Sequence, residues 1–289
     1  MRRCAHEPCS SAFLNVGDAH GLAAVLAELK PLLRRLDDLG RLQWAEFETA
    51  FLFIASADWD QAKAAMQTAI EVNRRSGGYP SYTSWYMTHL GWLARLRGRD
   101  DEALALGRQA LDLTERHEHL WGEATACAKL GTTLLLAGDR TGAIELFQRG
   151  LAAAEVGGGE ANLLRCAAPL AEATGSPTVL ADADRLLEQA SIPADGAWVF
   201  GEDAYLSLAR AWLGRGDPER ARAVLAPLLA VAERVPWTAT LAATLAIDGR
   251  ALLRMGEDDR ARTHLLRAEQ LAREHGLPHV LREARSARP

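Results

Sequence analysis

The residue groups in this chain that could do chemistry are few, and their spacing is unfavourable. His117-Glu118-His119 offers two imidazoles and a carboxylate, but a separation of two sets the histidines about 200° apart on a helix, so they could share a metal only from a loop. Cys4 and Cys9, with His6 between them, make half of a zinc-type ligand set, and no second Cys/His pair at ligand spacing follows. His89 lies close in sequence to Tyr82 and Tyr86 and could serve as an acid or base, but a packed or hydrogen-bonded core histidine is the leading expectation. A Gly-x-Ser-x-Gly elbow, a His-Glu-x-x-His helix, a Gly-x-Gly-x-x-Gly turn and a phosphate loop ending in Gly-Lys-Ser/Thr are all absent from the sequence. The expectation is a non-catalytic chain with no metal and no cofactor.

Composition narrows the partners. The chain has 289 residues, 48% of them hydrophobic, which is enough for an extensive core. With 33 basic against 38 acidic residues the net charge is −5, so there is no polycationic surface to neutralise phosphates, and a nucleic acid is not the expected direct partner. No apolar run approaches the roughly 20 residues of a membrane span, and the opening MRRCAHEPCSS lacks the apolar core of a secretory signal. No membrane partner is expected, and the compartment expected is the cytoplasm. Cys127 and Cys166 sit in alanine-rich helical stretches, where a reduced thiol acts as a small apolar residue.

What must position any site is a repeat. Segments such as THLGWLARLRGRDDEALALGRQAL and AKLGTTLLLAGDRTGAIELFQRGL share one plan: an apolar helix, a glycine, a short acidic turn, then a second helix opening near an alanine. Taking that alanine as anchor gives Ala62, Ala103, Ala143, Ala183, Ala221 and Ala261, at intervals of 38 to 41 residues. Small residues seven places later (Ala69, Ala110, Gly150, Ala190, Ala268) let paired helices approach closely. Met66, Phe147, Leu187, Leu225 and Leu265, four places after the anchor, share that face, with Gly107 and Leu228 as exceptions to the pattern. Gly98, Gly138, Gly216 and Gly256, five places before it, supply the left-handed residue that ends the first helix. Asp217 then caps a helix whose first residue is Pro218.

Leu90-Gly91, Gly98, Ala103 and Ala110, and again Leu130-Gly131, Gly138, Ala143 and Gly150, resemble the tetratricopeptide (TPR) pattern. The standard unit has about 34 residues, so these longer units imply helices about one turn longer. Long units of this kind look like the helical-repeat sensor region of bacterial LuxR-type and other signal-transduction ATPase regulators. The resemblance covers roughly residues 40–285 and implies an all-α, right-handed α-solenoid of about six helix-turn-helix repeats with terminal capping helices. Residues 1–17 show no helical period and read as an N-terminal arm; 18–289 read as one superhelical domain. Residues 18–40 resemble the second half of a degenerate repeat, and His279 to Arg288 a cap on the final face.

In this family the first helix of each pair lines the concave surface, at positions eighteen, fifteen, eleven and eight before the anchor. These give Trp44, Phe47, Phe51 and Ile54, then Trp85, Thr88, Trp92 and Arg95, then Thr125, Ala128, Thr132 and Leu135, with Arg165, Glu172, Arg210 and Arg250 further along. The expected ligand-binding residues are Trp44, Phe47, Phe51, Trp85, Thr88, His89, Trp92, Arg95, Arg210 and Arg250. The aromatic group is expected to be concave and partly exposed, although tryptophans on long helices also serve as core. A peptide or partner protein in the groove, in the setting of bacterial transcriptional regulation and signal transduction, is the leading expectation. A small-molecule effector held in an aromatic pocket is the alternative, which a single closed pocket would favour, and an enzyme on this scaffold comes third.

Overall fold

A computed structural model describes residues 9–189, 201–235 and 237–287. Of these, 86% are helical, and no strand occurs among them. The chain opens with α1 (Cys9–Asn15) and α2 (Ala19–Arg35). Six antiparallel pairs follow: α3 (Leu39–Ala55) with α4 (Trp59–Arg75), α5 (Pro80–Leu96) with α6 (Asp100–Arg116), α7 (Leu120–Ala137) with α8 (Arg140–Ala153), α9 (Glu160–Thr174) with α10 (Pro177–Gln189), α11 (Glu202–Gly214) with α12 (Pro218–Arg234), and α13 (Thr238–Arg254) with α14 (Asp258–Glu274). A final helix, α15, spans Pro278–Ser286. The architecture is the expected all-α solenoid.

The repeat register is the one the anchors define. Ala62, Ala103, Ala143, Ala183, Ala221 and Ala261 are all 0–1% exposed. Twelve residues earlier, on the first helix of each pair, stands a second small residue, Ala50, Gly91, Gly131, Ala171, Ala209 or Gly249, all buried; a Cβ at Gly91 or Gly249 would lie 3.2 Å from Ala103 O or 3.4 Å from Ala261 O. At Gly131 a Cβ would lie 2.5 Å from a ring carbon of Phe147, so the missing side chain is what admits the phenyl ring. Most helices have 17 residues and are joined by turns of about three, which is how a unit reaches 40. Gly98, Gly138, Gly216 and Gly256 all have positive φ, as the turn requires. The first repeat has Ala57 at the equivalent place with φ 59°, a non-glycine residue held in the left-handed region. Asp58, Asp139 and Asp217 follow these residues and cap the next helix by accepting from Gln61, Gly142 and Arg220 backbone N–H groups.

Two expectations change. Residues 9–15, read as part of a non-helical arm, form α1, whose Leu14 is 1% exposed; Ser11 Oγ donates to Glu48 on α3 at 2.5 Å. About two turns are too short to display a helical period in sequence. Residues 1–8, with Cys4 and His6, lie outside the described residues, as do Ala190 and Trp198; the side chain of Cys9 is likewise not described. The approach to the fourth repeat is irregular, as its Gly-rich 156–160 stretch implies, with a π-helical stretch at Ala154–Gly158 and a positive φ at Gly159.

The largest change concerns the ends. The last repeat returns to the first: Trp59 Nε1 donates to His275 O at 2.7 Å, Trp237 Nε1 to Gly17 O at 3.2 Å, and Thr238 Oγ1 to Ala55 O at 3.1 Å. α15 does not simply cover the outer end of α14. It lies against the inner surface, with Pro278 packed on Gly98, His279 Nε2 2.8 Å from Asp100, and Glu283 bonded to Arg210 and Arg250. The concave face is therefore bounded rather than an open groove.

Candidate functional site

The inner face of the superhelix holds a half-open cavity of about 440 Å³, within the size range of small-ligand pockets. Its walls come from the first helices of the repeats and from α15: Ile54 on α3, Trp92, Arg95 and Leu96 on α5, Thr132 and Leu136 on α7, Glu202, Asp203, Leu206 and Arg210 on α11, and Ala239, Thr240, Ala243 and Arg250 on α13. Trp237 and Leu277 precede α13 and α15, and α15 adds His279, Val280, Arg282, Glu283 and Ser286.

Two charged clusters organise this wall. In the first, Arg95 Nη2 donates to both carboxylate oxygens of Asp203 at 2.8 and 2.7 Å, and Lys129 Nζ donates to Glu202 at 3.0 Å and Asp203 at 2.9 Å. The placement follows helix polarity, since Glu202 and Asp203 occupy the first turn of α11 and Arg95 the last turn of α5. Lys129 Nζ also sits 5.0 Å from the Trp92 ring centroid, a cation–π contact that braces the indole. Burial pushes the Asp203 carboxyl up, but Arg95 and Lys129 outweigh it and hold the group well below the usual carboxylate range. Burial dominates at Glu202, which is raised. Among the described residues, Trp92 Nε1, Arg95 Nε and Glu202 Oε2 in this wall are buried without a hydrogen-bond partner.

The second cluster joins α11, α13 and α15. Arg210 donates through Nε and Nη2 to Glu283 at 2.9 and 2.8 Å, a two-pronged pair, and Arg250 Nη1 donates to the same carboxylate at 2.7 Å. Burial would raise Glu283; the two guanidinium groups lower it overall.

Of the ten residues expected to bind ligand, Trp92, Arg95, Arg210 and Arg250 line this cavity. The other six do not. The exposed aromatic platform expected around Trp44 is instead a core: Phe47 and Phe51 are 0% exposed, and Trp85, Thr88 and His89 are buried. The reason is mutual packing. Phe47 meets Phe51 at 5.2 Å, Tyr86 at 5.0 Å and His89 at 5.2 Å between ring centroids, and Trp85 stacks on Trp121 at 4.5 Å. Trp44 is half-buried and donates through Nε1 to Glu48 at 2.8 Å. Thr88 donates to Ser84 O at 2.8 Å. His89 Nδ1 is 2.8 Å from Trp85 O, and burial, with Lys129 nearby, pushes its pKa down to about 3, so it is neutral near pH 7. His117 and His119 flank Glu118 in a turn; among the described residues no group of three His, Cys, Asp or Glu could hold a metal ion.

Sequence reasoning missed Asp203, Leu206 and Ala243, although they fall eighteen or fifteen places before Ala221 and Ala261 in the same inward rows. Completing those rows would have found them. Glu283 and His279 lie beyond the last repeat, where no register extends. Cys127 and Cys166 are buried free thiols, as expected, and burial raises both, Cys127 to about 12. No described helix is long and apolar enough to cross a membrane.

A tetratricopeptide repeat family model matches residues 32–116, which correspond to the end of α2 through α6. No curated protein matches the chain in sequence. Among solved structures, the Rap conjugation gene regulator of the plasmid pLS20, in complex with the Phr* peptide, is similar at a TM-score of 0.58 and 12% identity, over 97% of this chain and 93% of that one. NprR in complex with its cognate peptide NprX is similar at a TM-score of 0.54 and 13% identity, over 96% and 80% of the two chains. A signal-transduction ATPase with a tetratricopeptide repeat sensor from Pyrococcus horikoshii aligns at a TM-score of 0.47 and 15% identity, over 93% of this chain and 42% of that one. The register of the anchors, the six helix pairs, the family-model match and the likeness to the first two of these structures together give the chain a TPR-type helical-repeat fold.

Proposed function

We propose that this chain is a non-catalytic regulatory module of the bacterial cytoplasm that binds a short peptide inside its superhelix. The observation that carries the reading is the bounded cavity of about 440 Å³, in which apolar surface from Ile54, Trp92, Leu206 and Trp237 faces charged groups at fixed distances. Such a mixture of apolar wall and a few convergent polar groups suits recognition of a compact ligand. The two solved structures with the same fold at TM-scores of 0.58 and 0.54 are complexes with peptides. The charged side chains are held in ion pairs rather than poised beside a nucleophile, which supports binding over chemistry. The bounded shape also favours a second reading, a small-molecule effector of similar size, over an extended protein segment laid in an open groove.

The test is affinity selection from a library of short peptides and small metabolites against the wild-type chain and against Ala243→Phe, which places a ring in the cavity. Ligands retained by the wild type and lost by the filled variant support the reading. Ligands held equally by both, or none held by the wild type, overturn it.

A further inference from the structure

α15 is the shortest helix in the cavity wall. It has nine residues, and Ala284 is its one fully buried side chain. A helix of that length is not stable alone in water. It is held by apolar packing of Ala284, Val280 and Leu281 and of Leu277 just before it, and by polar ties, of which Glu283 makes the most, accepting from Arg210 at 2.9 and 2.8 Å and from Arg250 at 2.7 Å.

The charge balance around that carboxylate is informative. Arg210 and Arg250 face Glu283 and, at 3.9 Å from Arg210, Glu172. Two guanidinium groups therefore meet two carboxyl groups. If Glu283 leaves, then among the described residues Arg250 loses the one ion pair it makes and Arg210 keeps only the long contact to Glu172, whose carboxyl burial already pushes toward its neutral form. Two partly buried cations short of an anion are costly, and any carboxylate that takes the vacated place is correspondingly favoured. Both arginines are fixed on long repeat helices, whereas the group that fills their fork is on the short terminal helix.

We propose that Arg210 and Arg250 form a carboxylate-binding subsite occupied at rest by Glu283 of the chain's own C-terminal helix, and that a carboxylate-bearing ligand entering the cavity binds by displacing α15. The inference rests on the cavity being the binding site, and it adds the ligand's chemistry and the element that moves. A ligand without a carboxylate cannot replace what Glu283 supplies, so binding selects for acidic molecules although the chain itself is acidic. Displacement exposes Val280 and Leu281, now packed against the core, which turns occupancy of the cavity into a change at the protein surface.

The experiment uses the full chain and the Glu283→Gln variant, which keeps the shape and removes the charge. Hydrogen exchange of the α15 amides is measured in both, and both are titrated with a fluorescent, acetylated and amidated peptide of sequence PHVLREARS, residues 278–286. A second peptide carries Gln at the position of Glu283. The expected result is exchange in α15 at least tenfold faster in Glu283→Gln, and at least tenfold tighter binding of the Glu peptide to that variant than to the wild type, with the preference lost for the Gln peptide. Unchanged exchange in α15, equal binding of the Glu peptide to both chains, or no binding of it to Glu283→Gln would each overturn the proposal. None of these results depends on the library selection, so loss of the gate and loss of the binding reading are told apart: cavity-dependent ligands with an unresponsive α15 remove only the gate.

Discussion

Replacing Asp203 by Asn perturbs the cavity wall without changing its volume. In the native cluster two cations, Arg95 and Lys129, meet two carboxyl groups, Glu202 and Asp203, and the side-chain exposures of Arg95, Lys129 and Glu202 are 3%, 7% and 6%. Neutralising Asp203 leaves one buried positive charge uncompensated, because Asn offers Arg95 and Lys129 an acceptor but no charge. Breaking a buried pair in this way costs about 3–5 kcal/mol, and since Asn keeps one hydrogen bond the lower end, about 3 kcal/mol, is the expected loss at pH 7. The assay is urea unfolding followed by circular dichroism and by tryptophan fluorescence in parallel, since a repeat array need not unfold in one step. Asp203 is held below its ordinary value, so its contribution is present above the unfolded carboxyl pKa of about 4 and is lost only as pH falls further. The wild-type advantage should therefore persist to about pH 4 and shrink below it. Adding Arg95→Met restores the balance of one cation and one anion, so the double variant should lose less than the sum of the two single losses. A loss under about 1 kcal/mol for Asp203→Asn would refute the buried-charge reasoning.

Other outcomes follow from the same geometry. Ala143→Leu and Gly131→Ala, at the tight crossing filled by Phe147, should each lower stability by about 1–3 kcal/mol, and an unchanged Tm for either would mean the helix register is wrong. Ala57→Gly should raise stability by about 1 kcal/mol by relieving the left-handed alanine, as read from the urea midpoint. His89 is buried neutral with its pKa pushed down to about 3, so its contribution is lost as pH falls below the unfolded value of about 6.5, by roughly 2 kcal/mol at pH 5. Burial-raised Glu48, Glu172 and Glu202 act in the opposite sense, so the check is the difference between wild type and His89→Gln, which should widen at neutral pH and narrow toward pH 5.

The fold was legible because a repeat writes the same physics six times, an alanine at the start of each second helix, a small residue twelve earlier and a left-handed turn residue, with an aspartate cap in three of the repeats. The site was legible only in part. Trp92, Arg95, Arg210 and Arg250 were reachable from the inward rows, but the rows say only that a residue faces the superhelix axis and not what lies opposite. Phe47 and Phe51 share those rows and are core, because their neighbours on α5 close over them. The closure of the last repeat on the first, and the entry of α15, depend on small rotations summed over six units and on contacts more than 170 residues apart, such as Asp100 with His279 and Gly17 with Trp237. No local pattern carries that information.

The claim on which the account stands is that ligand binds inside the superhelix. Hydrogen exchange of the wild-type chain, with and without a peptide obtained by the library selection, tests it most directly. The account predicts added protection at the inner segments, Trp92 to Leu96 of α5, Asp203 to Arg210 of α11 and Ala239 to Arg250 of α13, with the outer helices α4, α6 and α14 unchanged. Protection confined to those outer helices, or to the exposed Tyr79, Tyr82 and Trp121 at the edge of the early repeats, would contradict it.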